Sequence, residues 1–135
     1  MTMPATPAIP VSWGELLDKI SILDLKRRHL DRPDALANVV HEHDLLCAIA
    51  APAMAREGIA ALVAQLAAVN AALWDIEDAI RAEDAAGRFG DAFIRLARAV
   101  YRRNDERAAI KRRIDAALGS ALREEKSYAA WNTVE

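Results

Sequence analysis

The residues with chemical potential stand where apolar residues belong. Late in the chain an apolar stripe at helical spacing, with Phe93, Ala97, Val100, Ile114, Leu118 and Leu122, carries Asn104, Arg107 and Lys111 on its centre line. An earlier stripe of Ile59, Leu62, Leu66, Val69, Leu73, Ile76 and Ile80 contains Asn70 and Glu77. Near the N-terminus Arg27 sits mid-stripe between Leu23 and Leu30, with Asp18, Lys19 and Lys26 flanking the stripe. A buried charge without a partner costs several kcal/mol, so these groups must pair with one another, line a wet cavity or meet a ligand. Two chemistries fit. One is a buried polar network that fixes helix register. The other is a pocket for a small anionic or polar molecule, in which Arg107 and Lys111 neutralise charge and Glu77 serves as a general acid or base.

Other motifs carry less. His41 and His43 stand two apart, and such residues diverge on a helix, whereas a helical zinc pair needs a spacing of four. They read as solvated histidines. Asp75, Glu77, Asp78 and Glu83 lack the accompanying Glu-x-x-His of a di-iron bundle. Cys47, the one cysteine, lies among Leu45, Leu46 and Ile49 and reads as a small core residue. There is no glycine-rich phosphate loop and no nucleophile elbow. No metal and no cofactor are expected. Trp13, Trp74 and Trp131 read as packing residues.

Helices must position the stripe residues. Ser12-Trp13-Gly14-Glu15 is a capping box, with Ser12 as N-cap and Glu15 reaching back, and it opens a helix that runs to about Leu30. Pro33 suits the first turn of a second helix, over roughly 33–50, which should end before Pro52. A third helix runs from about Ile59 to Ala86 and stops at Gly87. Asp91 can cap a fourth, over about 92–126, frayed or bent near Gly119-Ser120. The third and fourth helices form a long antiparallel hairpin. Folding it about residues 87–90 brings Asn70 near Arg107 and Trp74 near Asn104. The fold class is therefore all-α: an antiparallel bundle of about four helices with a long C-terminal hairpin. Residues 1–11 form a proline-rich lead-in, 12–128 a single domain and 129–135 a tail.

With 135 residues, 53% hydrophobic and 28% charged, the chain can bury a core without disulfides. A net charge of −2 gives no field toward nucleic acid or an anionic membrane. The arginines Arg95, Arg98, Arg102, Arg112 and Arg113 lack interleaved aromatics and read as a solvated face. No secretion signal and no membrane-spanning apolar run is expected, which points to the cytoplasm. The first helix is apolar on two sides, with Ile22 and Leu25 opposite its main stripe, so it is either sandwiched within the domain or part of an oligomer interface. A homodimer is the expectation.

Two resemblances bear on function. Gly14-Glu15-Leu16-Leu17-Asp18-Lys19-Ile20-Ser21-Ile22-Leu23, Leu73-Trp74-Asp75-Ile76-Glu77-Asp78, Ala97-Arg98-Ala99-Val100-Tyr101, Asn104-Asp105-Glu106-Arg107 and Glu124-Glu125-Lys126-Ser127-Tyr128 occur in order over about residues 12–128. Together they resemble a family of small uncharacterised all-helical proteins from bacteria and their phages. That resemblance implies no activity, only a loose association with genes for surface-polysaccharide glycosyltransferases. It places Asp18, Lys19, Trp74, Glu77, Asp78, Asn104, Asp105, Arg107 and Lys126 within the family's motifs. Separately, residues 17–24 are similar to the opening helix of all-helical chorismate mutases, which bind a dicarboxylate with arginines and lysines. Leu17 stands where the mutase motif places a binding arginine, and the first helix ends far sooner, so the likeness does not carry the activity.

The sequence thus points to a helical module without catalytic function, an accessory or small-ligand-binding protein. The alternative is a mutase or lyase acting on a small anionic metabolite. The candidate site comprises Asp18, Lys19, Arg27, Asn70, Glu77, Asn104, Arg107 and Lys111. Expected partners are a second copy of the chain and either a small anionic ligand or another protein. Neither nucleic acid nor membrane insertion is expected.

Overall fold

The computed structural model describes residues 2–122 and 124–127. Among these, four helices and no strand occur: α1 Trp13–His29, α2 Pro33–Met54, α3 Ile59–Ala85 and α4 Asp91–Leu118. The largest interface joins α3 to α4, which confirms the hairpin, and α1 packs against all three other helices. α2 lies mainly on α1 and touches α3 only slightly. The two-sided apolarity of α1 therefore has an explanation within the chain, because α1 is sandwiched between α2 and the hairpin.

The hydrophobic core gathers Leu16 and Leu17 of α1, Ala50 of α2, Ile59, Leu66 and Val69 of α3, and Ile110 and Ile114 of α4. It occupies one end of the molecule, where all four helices meet. The opposite end consists of the hairpin alone.

Local chemistry sets the helix ends. The Ser12 hydroxyl accepts from the Glu15 amide at 3.1 Å, as the capping box requires. The Glu15 carboxylate, however, turns to Lys111 instead of reaching back to Ser12. Lys26, Arg27, Arg28 and His29 fill the last turn of α1, where cations complement the helix dipole.

Two helix ends differ from expectation. α2 continues through Pro52 to Met54. A proline so near the terminus removes one amide donor, while Ala55 still donates to the Ala51 carbonyl, and Ala50 and Ala53 are held in buried positions. α4 ends at Leu118, well before residue 126, because Gly119 adopts a left-handed conformation (φ 67°) and Ser120 bonds back to the Asp115 carbonyl. Gly90, not Asp91, occupies the N-cap position of α4.

α3 is also long and apolar enough, by length and composition, to cross a membrane. The sequence reading missed this because alanines and valines raise the average without forming an unbroken run. Asn70, midway along α3, is buried and bonded to Asp18 of α1, so this apolar helix carries a polar tie to α1 at its middle.

Candidate functional site

The polar seam divides into a closed half and an open half. In the closed half Asp18, with 4% of its side chain exposed, projects from α1 toward the hairpin. Its carboxylate accepts from Arg107 Nε at 2.9 Å and from Arg107 Nη2, a two-point pairing that fixes both side chains. Asn70 Nδ2 donates to the same carboxylate at 2.9 Å and lies 3.3 Å from Ser21 Oγ. One α1 carboxylate thus ties together α1, α3 and α4.

One turn along α4, Lys111 is 6% exposed at its side chain. Its ammonium pairs with Glu15, with Glu124 at 2.8 Å and, more distantly, with Asp18 at 3.9 Å. Burial pulls the Lys111 pKa down, but the hydrogen bonds to Glu124 and Glu15 outweigh it, and the net shift is upward. The hydrogen bond from Lys111 holds the Glu124 carboxyl below its ordinary value. For Arg107, the Asp18 hydrogen bond raises the pKa against the opposing effect of burial. Each of these three groups is stabilised in its charged form by its partner.

A turn further on, Asp115 is almost fully buried at 1% exposure. It accepts from the Gly14 amide at 2.7 Å and from Ser120 Oγ at 3.2 Å, and Ser120 Oγ in turn accepts from the Trp13 amide. Sequence reasoning missed this knot, as well as Glu15, Ser21 and Glu124. Asp115 was detectable, because it stands four residues beyond Lys111 on the same helix face.

The open half begins at the exposed edge of Arg107. Its Nη1 points to Asn104 Oδ1 at 3.5 Å, and 27% of the side chain remains accessible. There a groove of about 530 Å³ opens, with Asn70, Asn104 and Arg107 at its floor. Ile22 and Leu25 of α1 and Leu73 and Trp74 of α3 form the apolar walls, and Glu77, Asp78 and Arg81 bring charge to the rim. Trp74 is held in place by the His29 ring stacked on it, with centroids 4.6 Å apart. Asn70, Trp74, Asn104 and Arg107 meet as the folded hairpin requires.

Of the candidate residues, Asp18, Asn70, Arg107 and Lys111 join in the network, and Glu77 and Asn104 line the groove. Lys19 and Arg27 do not belong to this group. Lys19 reaches Glu42 of α2 at 3.1 Å on an exposed surface, and Arg27 lies 3.3 Å from His43 Nδ1. Both serve the α1–α2 contact. Glu77 pairs with Arg81 and shares the groove with Arg107, whereas Lys111 is not among the groove residues, so the three residues of the enzyme alternative do not all meet there.

His43 is not a solvated histidine: its side chain is 12% exposed and its Nε2 lies 2.7 Å from Asp24. Cys47 Sγ lies 3.6 Å from the same ring. Cysteine, histidine and aspartate in this order resemble a nucleophilic triad. Burial, followed by the charges of Asp24 and Asp44, raises the thiol pKa, which opposes thiolate formation. Among the described residues no group of three His, Cys, Asp or Glu forms a metal site.

An all-helical bundle with a paired ionic seam and a groove at its edge is the class of protein these observations define. The chain belongs to DUF6165, a family of unknown function, whose model matches residues 8–134. Comparison with curated proteins gave no match, and comparison with solved structures gave none either.

Proposed function

We propose that this chain is a small-ligand-binding accessory module without catalytic function, and that the ligand sits in the groove beside Arg107. The observation that carries this reading is the division of the seam: buried polar groups are paired, while Arg107 and Asn104 keep an accessible polar edge on a preformed concavity beside Trp74.

The groove favours a neutral polar or zwitterionic molecule. Arg107 already shares its charge with Asp18, and at the rim Arg81 faces both Glu77 and Asp78, so no net positive charge meets the ligand. A carbonyl, hydroxyl or single carboxylate would accept from Arg107 and the Asn104 amide. Hydroxyl or amino groups would donate to Glu77 and Asp78, and an apolar ring face would rest against Leu73 and Trp74. Hydroxylated sugars meet these demands, and the gene association implied by the family resemblance makes glycosyl compounds the first to screen.

A thermal-shift screen of sugars, amino acids and other small polar metabolites tests the reading. A ligand at about a hundredfold excess over its Kd should add roughly 2.7 kcal/mol of stability, several degrees in Tm for a domain of this size. The shift should disappear in Asn104→Ala and Glu77→Gln. A screen without stabilisation, or a shift that persists in both variants, would contradict the assignment.

A further inference from the structure

The far half of the hairpin stands without a cover. From residue 75 to residue 103 no side chain is buried, although the stretch includes Ile76, Ile80, Phe93, Leu96 and Val100. Phe89, Ile94 and Tyr101 are 58%, 51% and 43% exposed. The cause is the length of α1, which ends at His29 against Trp74. Beyond that level two helices remain, and a two-helix layer cannot enclose its own apolar stripe.

The charges on this projecting end are divided by helix. Its α3 half exposes Asp75, Asp78 and Asp84, interrupted by Arg81. Its α4 half exposes Arg95, Arg98 and Arg103, with Asp91 the exposed acid in the first turn. An all-acidic or all-basic partner would meet like charge on one half of this surface. A copy of the same surface, with α4 laid against the first copy's α3, meets opposite charge on both halves and supplies the missing apolar layer.

We infer that the chain forms a two-fold dimer through the residue 75–103 end of the hairpin, with α3 of each protomer against α4 of the other, completing a four-helix bundle. The inference rests on the uncovered stripe and the charge division, and the dimer surface shares Asp78 and Arg81 with the rim of the ligand groove.

Sedimentation equilibrium on the full chain at tens of micromolar tests it, with an expected mass of twice the 14.8 kDa protomer. The double variant Arg95→Glu with Arg98→Glu, and the double variant Asp78→Arg with Asp84→Arg, should each be monomeric, because the reversed side chains then face a helix of predominantly like charge. Mixed in equal amounts, they should recover a dimer containing one copy of each. All four positions are exposed, so helicity should be retained, and circular dichroism verifies this. Ile94→Asn, an exposed apolar position, should weaken the wild-type dimer without charge reversal. A monomeric wild-type chain, double variants that stay dimeric, or a mixture that stays monomeric would each overturn the inference.

Discussion

Asp18 is the residue on which the packing of three helices converges. Its buried carboxylate is satisfied by Arg107 and Asn70, and Arg107 lies 89 residues away in sequence. Breaking one side of a buried pair leaves an uncompensated charge, so Asp18→Asn should cost about 3–5 kcal/mol in urea unfolding. Lys19→Ala, at an exposed pair with Glu42, should cost less than about 1 kcal/mol. Equal effects would contradict the division between buried seam and solvated pair. The seam also has a pH signature. Glu124 is held below its ordinary value of about 4.5 by Lys111, so its contribution is present above that value and is lost as pH falls through the lowered folded value. Lys111 is shifted upward, so its contribution persists through neutral pH and is lost as pH rises through its raised value. Glu124→Gln should therefore flatten the acid limb of the stability–pH curve; an unchanged limb would dismiss this pair as a source of stability.

Between elements, α1 comes close against α4 at Gly14. A Cβ there would stand 2.6 Å from the Lys111 carbonyl oxygen and 2.9 Å from Asp115 Oδ1. Alanine gains up to about 1 kcal/mol of helix propensity over glycine, but overpacking against backbone costs roughly 1–3 kcal/mol. The Gly14 amide would also be displaced from Asp115. Gly14→Ala should thus be net destabilising by about 2 kcal/mol, read from the shift in denaturation midpoint. A neutral or stabilising result would mean that α1 does not press on α4. The start of α1 was legible because Ser12 caps by a local hydrogen bond, and the stop of α3 because Gly87 marks it. The ends of α2 and α4 were less so. Whether Pro52 ends a helix depends on the core burial of its neighbours, and whether Gly119 bends or ends one depends on Asp115 and Ser120. The importance of Gly14 depends on which helix faces it, and no local pattern carries that.

For the whole molecule, α1 locks the core end of the hairpin and leaves its far end open, with the groove at the step between them. Much of the site was legible, because Asn70, Arg107, Asn104 and Trp74 follow from periodicity and the fold-back of one hairpin. Lys19 and Arg27 were misplaced by the same reasoning, since α1 has two packed sides and periodicity does not say which partner each side meets. The division between paired seam and open groove depends on where α1 stops relative to the hairpin, which is a tertiary fact. NMR titration of isotope-labelled protein with a stabilising ligand tests this division most directly. The Trp74 indole and the Asn104 side-chain amide should shift, while the Trp13 indole, on the opposite side of the Asp18 network, should stay in place. Shifts centred instead on the shallow apolar patch of Pro33, Leu36 and Val40, or the absence of any shift at Trp74 and Asn104, would contradict a ligand site beside Arg107.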